Sequence, residues 1–232
     1  MLLQEKFRSI FNRGSETPVP ARAPSLPSPG LSFLKPARKD ATSTRQSRGL
    51  EQFFFNLHGQ VGLSILDLAG ASQQNIDFLT SLGHKIYSAN VLHSMQECFG
   101  SDPSGQTNPG RIEYFLRSNF DYPPATFDGV LMWDSMQFMS QALLNATVER
   151  LADIMRPQSY LLAFFTVNDK VQEVASYSFR IQDNKTLLVT ELGMRSTGHV
   201  FNNRSLEKLF GKFESVKFFL TRENLREVIV RR

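Results

Sequence analysis

The sequence is poor in cysteine and histidine and contains no long hydrophobic run. Cys98 is the single cysteine of the 232 residues, so an internal disulfide is excluded and the thiol is interpreted as a small, half-buried apolar group. The four histidines are scattered without the spacing of zinc ligands. No stretch of 18 or more apolar residues is present, which argues against a membrane-spanning helix. These features favour a cytoplasmic protein that holds no metal.

Positive charge is concentrated at the beginning of the chain. Residues 1–50 contain nine Lys and Arg and three Asp and Glu, so their net charge is +6. The remaining residues have a net charge of −2, which gives +4 for the whole chain. The later part therefore lacks the basic footprint that nucleic acid binding requires. The basic part is interpreted as a solvated tail that is able to contact acidic partners.

A change in composition divides the chain in two. Residues 14–48 are rich in Pro, Ser, Ala and Arg, and such a segment cannot bury enough apolar surface to offset the entropy lost on ordering. We therefore predict a disordered tail over residues 1–48 and one domain over residues 49–232. Deleting residues 1–48 is expected to leave the melting temperature nearly unchanged.

Apolar periodicity in the second part predicts alternating strands and helices. Strands are predicted at 63–68, 85–88, 127–134, 160–167, 187–192, 216–220 and 227–230. Helices are predicted at 50–57, 76–82, 91–99, 141–155 and 205–210, a turn is predicted at 156–159, and residues 112–116 fit either a strand or a helix. This order indicates an α/β fold of the doubly wound type, with a mostly parallel sheet and a C-terminal antiparallel hairpin.

In an open parallel sheet, ligands bind beyond the carboxyl ends of the strands. The residues that follow three of the predicted strands, 67–72, 88–90 and 133–136, are therefore the candidate site. Small residues in the first of these segments let a ligand approach the backbone, and the following helix offers unpaired N–H groups to an anion.

Three segments in the right order resemble the class I S-adenosylmethionine (SAM)-dependent methyltransferases. They are the apolar strand, acid and small-residue turn at 64–72, the strand ending in an acid at 127–134, and Ile-Met-Arg-Pro-Gln-Ser at 154–159. The resemblance covers residues 50–232. It implies the Rossmann-like methyltransferase fold, SAM as the cofactor, and transfer of a methyl group to an acceptor, which we expect to be a small molecule.

The resemblance also implies roles for individual residues. Asp67 would help to fix the charged amino-acid end of SAM, although bracing the strand end is the alternative role. Asp134 would face the reaction zone as a catalytic base or substrate anchor, with capping of the next helix as its alternative. The remaining cofactor-binding candidates are Ala69, Gly70, Ala71, Ser72, Asn90 and Trp133.

The sequence departs from the family pattern at several candidate positions. Ala69, Ala71 and Gln73 stand where the family has glycines, and Asn90 stands where it commonly has an acid. The alanines fit only if their φ angles are negative. These departures motivate an alternative function, a non-catalytic binding or scaffold protein with a degenerate cofactor site. A nicotinamide-dependent enzyme fits less well, because Gly-x-Gly-x-x-Gly is missing after the first strand.

Four arginines in the last third of the chain are interpreted as surface charges. They are Arg195, Arg204, Arg222 and Arg226.

Overall fold

Nine strands and six α-helices make up the part of the chain that the structure describes. A computed structural model describes residues 42–100, 103–167, 173–199, 201–221 and 225–232. The strands are β1 (Thr42–Gln46), β2 (Ser64–Asp67), β3 (Lys85–Ser88), β4 (Phe127–Trp133), β5 (Met155–Thr166), β6 (Glu173–Ile181), β7 (Thr186–Ser196), β8 (Ser215–Leu220) and β9 (Leu225–Arg231). The helices are α1 (Arg48–Leu57), α2 (Gln73–Ser81), α3 (Val91–Phe99), α4 (Pro109–Phe120), α5 (Gln141–Ile154) and α6 (Asn203–Leu209).

Six strands form the central sheet in the order β3-β2-β4-β5-β9-β8. The first four are parallel, whereas β9 is antiparallel to both β5 and β8. The predicted doubly wound sheet with its C-terminal antiparallel hairpin is thus confirmed. Residues 112–116, which the sequence left undecided, belong to helix α4.

Successive residues of the buried strands supply two apolar cores, one on each face of the sheet. On β4, Val130 and Met132 contribute to the core beneath helices α3, α4 and α5. Leu131 and Trp133 contribute to the core that contains α1 and residues of β6 and β7. This alternation follows from the two-residue repeat of a strand.

Short polar side chains fix the beginnings of several helices. The Ser47 hydroxyl accepts a hydrogen bond from the Leu50 backbone N–H at 3.0 Å, and Asn90 caps α3 in the same way through the His93 N–H. The beginning of α1 has a second partner, because the Gly49 N–H donates a hydrogen bond to the buried side chain of Glu227 at Oε2, at 2.5 Å. Each cap satisfies a backbone donor that the helix itself leaves unpaired.

A second, antiparallel sheet with the order β1-β7-β6 packs beside the first. Residues 173–181, which form β6, have no predicted element, and Thr42–Gln46 falls within the predicted tail. That tail boundary is corrected here, because Thr42–Gln46 pairs residue by residue with β7 and Ser47 caps α1. The prediction of a disordered tail over residues 1–41 lies outside the described residues.

The turn predicted at residues 156–159 is wrong, because these residues lie within β5. The strand is irregular here: its pairing with β4 shifts register between Phe127 and Gly129, and Gln158 has a φ angle of 69°. Residues 156–159 of β5 lie opposite the single residue Asp128 of β4, so the strand is locally irregular where the chain enters it from α5. Within the described residues, no helix is long and apolar enough to cross a membrane.

Candidate functional site

A cleft of about 360 Å³ opens at the carboxyl ends of the parallel strands. Ala69 follows β2 in its wall, Asn90 follows β3, and Trp133 and Asp134 lie at the end of β4. The structure therefore brings four of the eight predicted site residues together in one cleft. The other four, Asp67, Gly70, Ala71 and Ser72, do not line it.

Asp67 is fully buried beneath the cleft. Its Oδ1 accepts hydrogen bonds from the Trp133 indole at 2.6 Å and from the Ala69 backbone N–H at 3.1 Å, and its Oδ2 accepts one from the Asn75 amide at 2.8 Å. Burial raises the pKa of Asp67, and these hydrogen bonds oppose the rise. Asp67 thus braces the strand end in this structure and contacts two residues of the cleft wall, Ala69 and Trp133.

The small-residue turn is tied to the segment that follows β3. Gly70 has a φ angle of 94°, whereas neither Ala69 nor Ala71 has a positive φ, as the two alanines require. The Gly70 N–H donates to the Ala89 carbonyl at 3.0 Å, and Ala69 and Asn90 form an isolated bridge. A β-carbon at Gly70 would lie 3.2 Å from the Asn90 amide nitrogen, so the two segments need a glycine here.

Trp133 forms the floor of the cleft in an unusual backbone conformation. Its φ angle is 52°, a region that costs a bulky residue about 1–3 kcal/mol. The ring stacks on Phe179 of β6 with a centroid distance of 5.2 Å and an interplanar angle of 5°. This stacking and the bond to Asp67 hold the conformation, which directs the next residue into the cleft.

Asp134 supplies a buried carboxyl group to the cleft and is 2% exposed. Its Oδ2 accepts a hydrogen bond from the Tyr177 backbone N–H at 2.9 Å. Burial raises the pKa of Asp134 to about 7, against the lowering effects of backbone hydrogen bonds and of the nearby Arg195 charge. The group is therefore able to exchange a proton near neutral pH.

The second sheet closes the cleft from the side opposite the turn. Tyr177 and Ser178 of β6 and Leu192 and Arg195 of β7 line this wall. The interpretation of Arg195 as a surface charge is wrong, because the residue is half-buried and faces the cleft. Without a predicted β6, the sequence offered no signal that β7 folds over the strand ends.

Other hollows lie outside this cleft in the described part of the chain. A smaller one of about 230 Å³ adjoins it and shares Gln96 and Arg195 with it. A larger groove of about 680 Å³ lies at the other end of the strands, beside Val61 and His84. Val61 and His84 precede β2 and β3, so this groove is at the amino ends, away from the usual ligand position of such sheets.

Comparisons with known proteins return structural likeness alone. No protein-family model matches the chain, and the search of curated proteins found no match. A SAM-dependent methyltransferase from Archaeoglobus fulgidus is 14% identical, with a TM-score of 0.47 over 79% of this chain and 91% of that one. One from Methanosarcina mazei is 11% identical, with a TM-score of 0.45 over 77% and 96%.

A third similar structure holds a ligand. It is the Burkholderia thailandensis 1,6-didemethyltoxoflavin-N1-methyltransferase with bound 1,6-didemethyltoxoflavin and S-adenosylhomocysteine. It is 11% identical, with a TM-score of 0.43 over 80% of this chain and 77% of that one. These three structures are what the chain is similar to, and the similarity is one of fold.

Proposed function

We propose that this protein is a SAM-dependent methyltransferase that binds its cofactor in the cleft at the carboxyl ends of β2, β3 and β4. The observation that carries the proposal is the convergence of Ala69, Asn90, Trp133 and Asp134 on one cleft. The sequence separates these residues by up to 65 positions. The strand order alone brings them to the usual ligand position of a parallel sheet.

The residues of the cleft suit the chemistry of SAM. A cleft of about 360 Å³ lies within the range of roughly 300–1,000 Å³ that is usual for small-molecule sites. Apolar side chains for the adenine come from Leu68, Leu92 and Met132, and Asn90 offers its amide to the ribose hydroxyls. When bound, the cofactor supplies a methyl group on a positively charged sulfur.

Asp134 is the proposed base for the methyl acceptor. An acceptor hydroxyl or protonated amine must lose a proton when it gains the methyl group, and the pKa of about 7 leaves much of the Asp134 carboxyl ionised at neutral pH. The adjoining hollow of about 230 Å³, which shares Gln96 and Arg195 with the cleft, has room for a small acceptor. These features support a small-molecule acceptor.

Calorimetric titration of the full chain with SAM and with S-adenosylhomocysteine tests the proposal. The full chain is needed because a chain that begins at residue 49 would lack β1 and the Ser47 cap. We expect micromolar binding of both compounds and no binding of NAD. Absence of binding at millimolar concentrations would refute the proposal and favour the non-catalytic scaffold function.

Activity is tested separately by transfer of a labelled methyl group to a panel of small phenols, carboxylic acids and amines. We expect Asp134→Asn to retain cofactor binding and to lose about 10²–10⁴-fold in transfer rate, the usual contribution of a general base. Asp183→Asn is the matched control, because Asp183 lies in the turn between β6 and β7 and does not line the cleft. Equal rates for the two variants would exclude Asp134 as the base.

A further inference from the structure

The amino-acid end of SAM carries a carboxylate that needs hydrogen-bond donors once it leaves water. The resemblance places such donors in the small-residue turn, but here two of its N–H groups already have partners, and Ala71 and Ser72 do not line the cleft. The Ala69 N–H donates to Asp67 and the Gly70 N–H donates to the Ala89 carbonyl. A carboxylate in the cleft must therefore find other partners.

The first turn of α2 is also turned away from the cleft. Gln74 Nε2 donates to the Ile181 carbonyl at 3.0 Å, and Asn75 Oδ1 accepts from the Ile181 N–H at 2.7 Å. Strand β6 thus crosses the beginning of α2, and none of the residues 73–75 lines the cleft. The N-terminus of this helix does not serve as the anion site.

Arg195 lines the cleft and carries a positive charge with several N–H donors, which the small-residue turn does not offer. It is half-buried, it lines the cleft, and its charge acts on the Asp134 carboxyl. Within the described residues, no hydrogen bond or ion pair engages its guanidinium group. The other basic side chain of the lining, His93, is exposed and pairs with Glu97 on the same helix.

We propose that Arg195, from the strand that closes the cleft, binds the carboxylate of SAM in place of the turn. The proposal rests on the proposed function, because it assigns a residue to the cofactor of that function. A planar guanidinium group forms two parallel hydrogen bonds with a carboxylate. Binding then requires the second sheet, because β7 contributes the anchor for one end of the cofactor.

Two ligands that differ in the amino-acid end separate this role from a general effect on the cleft. S-adenosylhomocysteine has the carboxylate, whereas 5′-methylthioadenosine lacks the whole amino-acid end and keeps the nucleoside. We expect Arg195→Met to weaken binding of S-adenosylhomocysteine about 10- to 100-fold, as the loss of a charged hydrogen bond does. Binding of 5′-methylthioadenosine should change less than about twofold, since it has no carboxylate.

Two more variants complete the calorimetric experiment. Arg195→Lys keeps the charge but loses the planar fork, so it should recover part of the lost affinity. Arg180→Met is the matched control, because Arg180 lies in the same sheet, donates to Thr190 Oγ1 and does not line the cleft. It should bind both ligands as the wild type does.

Three results would overturn the inference. Equal weakening of both ligands by Arg195→Met would indicate a disturbed cleft, and unchanged binding of both would show that Arg195 contacts no carboxylate of the cofactor. If the wild-type chain binds neither ligand, the proposed function fails and the inference fails with it. Selective loss of S-adenosylhomocysteine binding supports both.

Discussion

Replacing Asp134 by asparagine tests whether its carboxyl group is held in an environment that disfavours ionisation. Burial raises its pKa from 3.8 to about 7 in the folded chain, whereas unfolding exposes the group to water. Between about pH 4 and pH 7 the folded state therefore holds a proton that the unfolded state has released. The contribution of Asp134 to the free energy of unfolding consequently falls as the pH rises through this window.

The size of the effect follows from the difference between the two pKa values. Each pKa unit corresponds to about 1.4 kcal/mol, so the rise from 3.8 to about 7 corresponds to a total of about 4 kcal/mol. Roughly 3 kcal/mol of this falls between pH 5 and pH 8. Asparagine carries no charge, so Asp134→Asn should gain about 3 kcal/mol in stability relative to the wild type over that interval.

Urea unfolding of both full chains at pH 5 and pH 8, at one ionic strength, measures this difference. Comparing the two chains removes the contributions of other buried acids, because both chains contain them. Asp183→Asn is the control, since hydrogen bonds from the Lys185 and Thr186 N–H groups lower the pKa of Asp183. Its contribution is lost only below about pH 4, so its effect on stability should be the same at both pH values.

A stability difference between Asp134→Asn and the wild type that does not change with pH would refute the reasoning. It would mean that the carboxyl group titrates in the folded protein as it does in the unfolded chain. Burial raises the pKa, although the hydrogen bond from the Tyr177 N–H of β6 lowers it. Such a result would therefore mean that the Asp134 carboxyl group is not enclosed in the folded protein.

Three other changes have consequences for stability that urea or thermal unfolding can measure. Trp133→Phe removes the indole donor to the buried Asp67 and should cost about 1–3 kcal/mol. Gly49→Ala places a β-carbon 2.9 Å from the Glu227 side chain and should cost a similar amount, about 1–3 kcal/mol, by overpacking. A chain that begins at residue 49 should melt at least about 3 °C below one that begins at Thr42, because it lacks β1 and the α1 cap.

Each of these changes has a control or an outcome that would contradict it. Gly110→Ala is matched to Gly49→Ala, because the added carbon would meet its nearest neighbour at an ordinary 3.4 Å. It should leave stability unchanged or raise it slightly, since alanine favours a helix over glycine. Full stability of Trp133→Phe would show that Asp67 does not depend on the indole. Equal melting temperatures of the two shortened chains would restore the predicted boundary at residue 48.

The central sheet could be predicted because each of its buried strands has a recognisable local sequence pattern. The buried runs at 64–67 and 127–133 are mainly apolar, Asp67 ends the first and Asp134 directly follows the second, and helices of clear periodicity separate them. The positions of Ala69, Asn90, Trp133 and Asp134 then follow from the rule that ligands bind at the carboxyl edge. The cleft itself was therefore within reach of the sequence.

The second sheet could not be predicted from the sequence, because its strands have weak local patterns. In Glu173–Ile181, half-buried Ser, Tyr and Arg residues interrupt the apolar positions, and Thr42–Gln46 contains no apolar residue at all. Such segments become strands through their partners. The enclosed position of Asp67, the raised pKa of Asp134 and the place of Arg195 all depend on these strands, so they became visible only in the structure.

The pairing of β1 with β7 affects the order in which the molecule can be completed. Thr42 and Thr190 meet with their hydroxyl oxygens 2.8 Å apart, although 148 positions separate them. At a synthesis rate of about 5–20 residues per second, β1 waits on the order of ten seconds for its partner to leave the ribosome. During that interval the parallel strands β2 to β5 can already assemble, so the wall that carries Arg195 is added after them. A nascent chain would therefore gain the second wall of its cleft only late in its own synthesis.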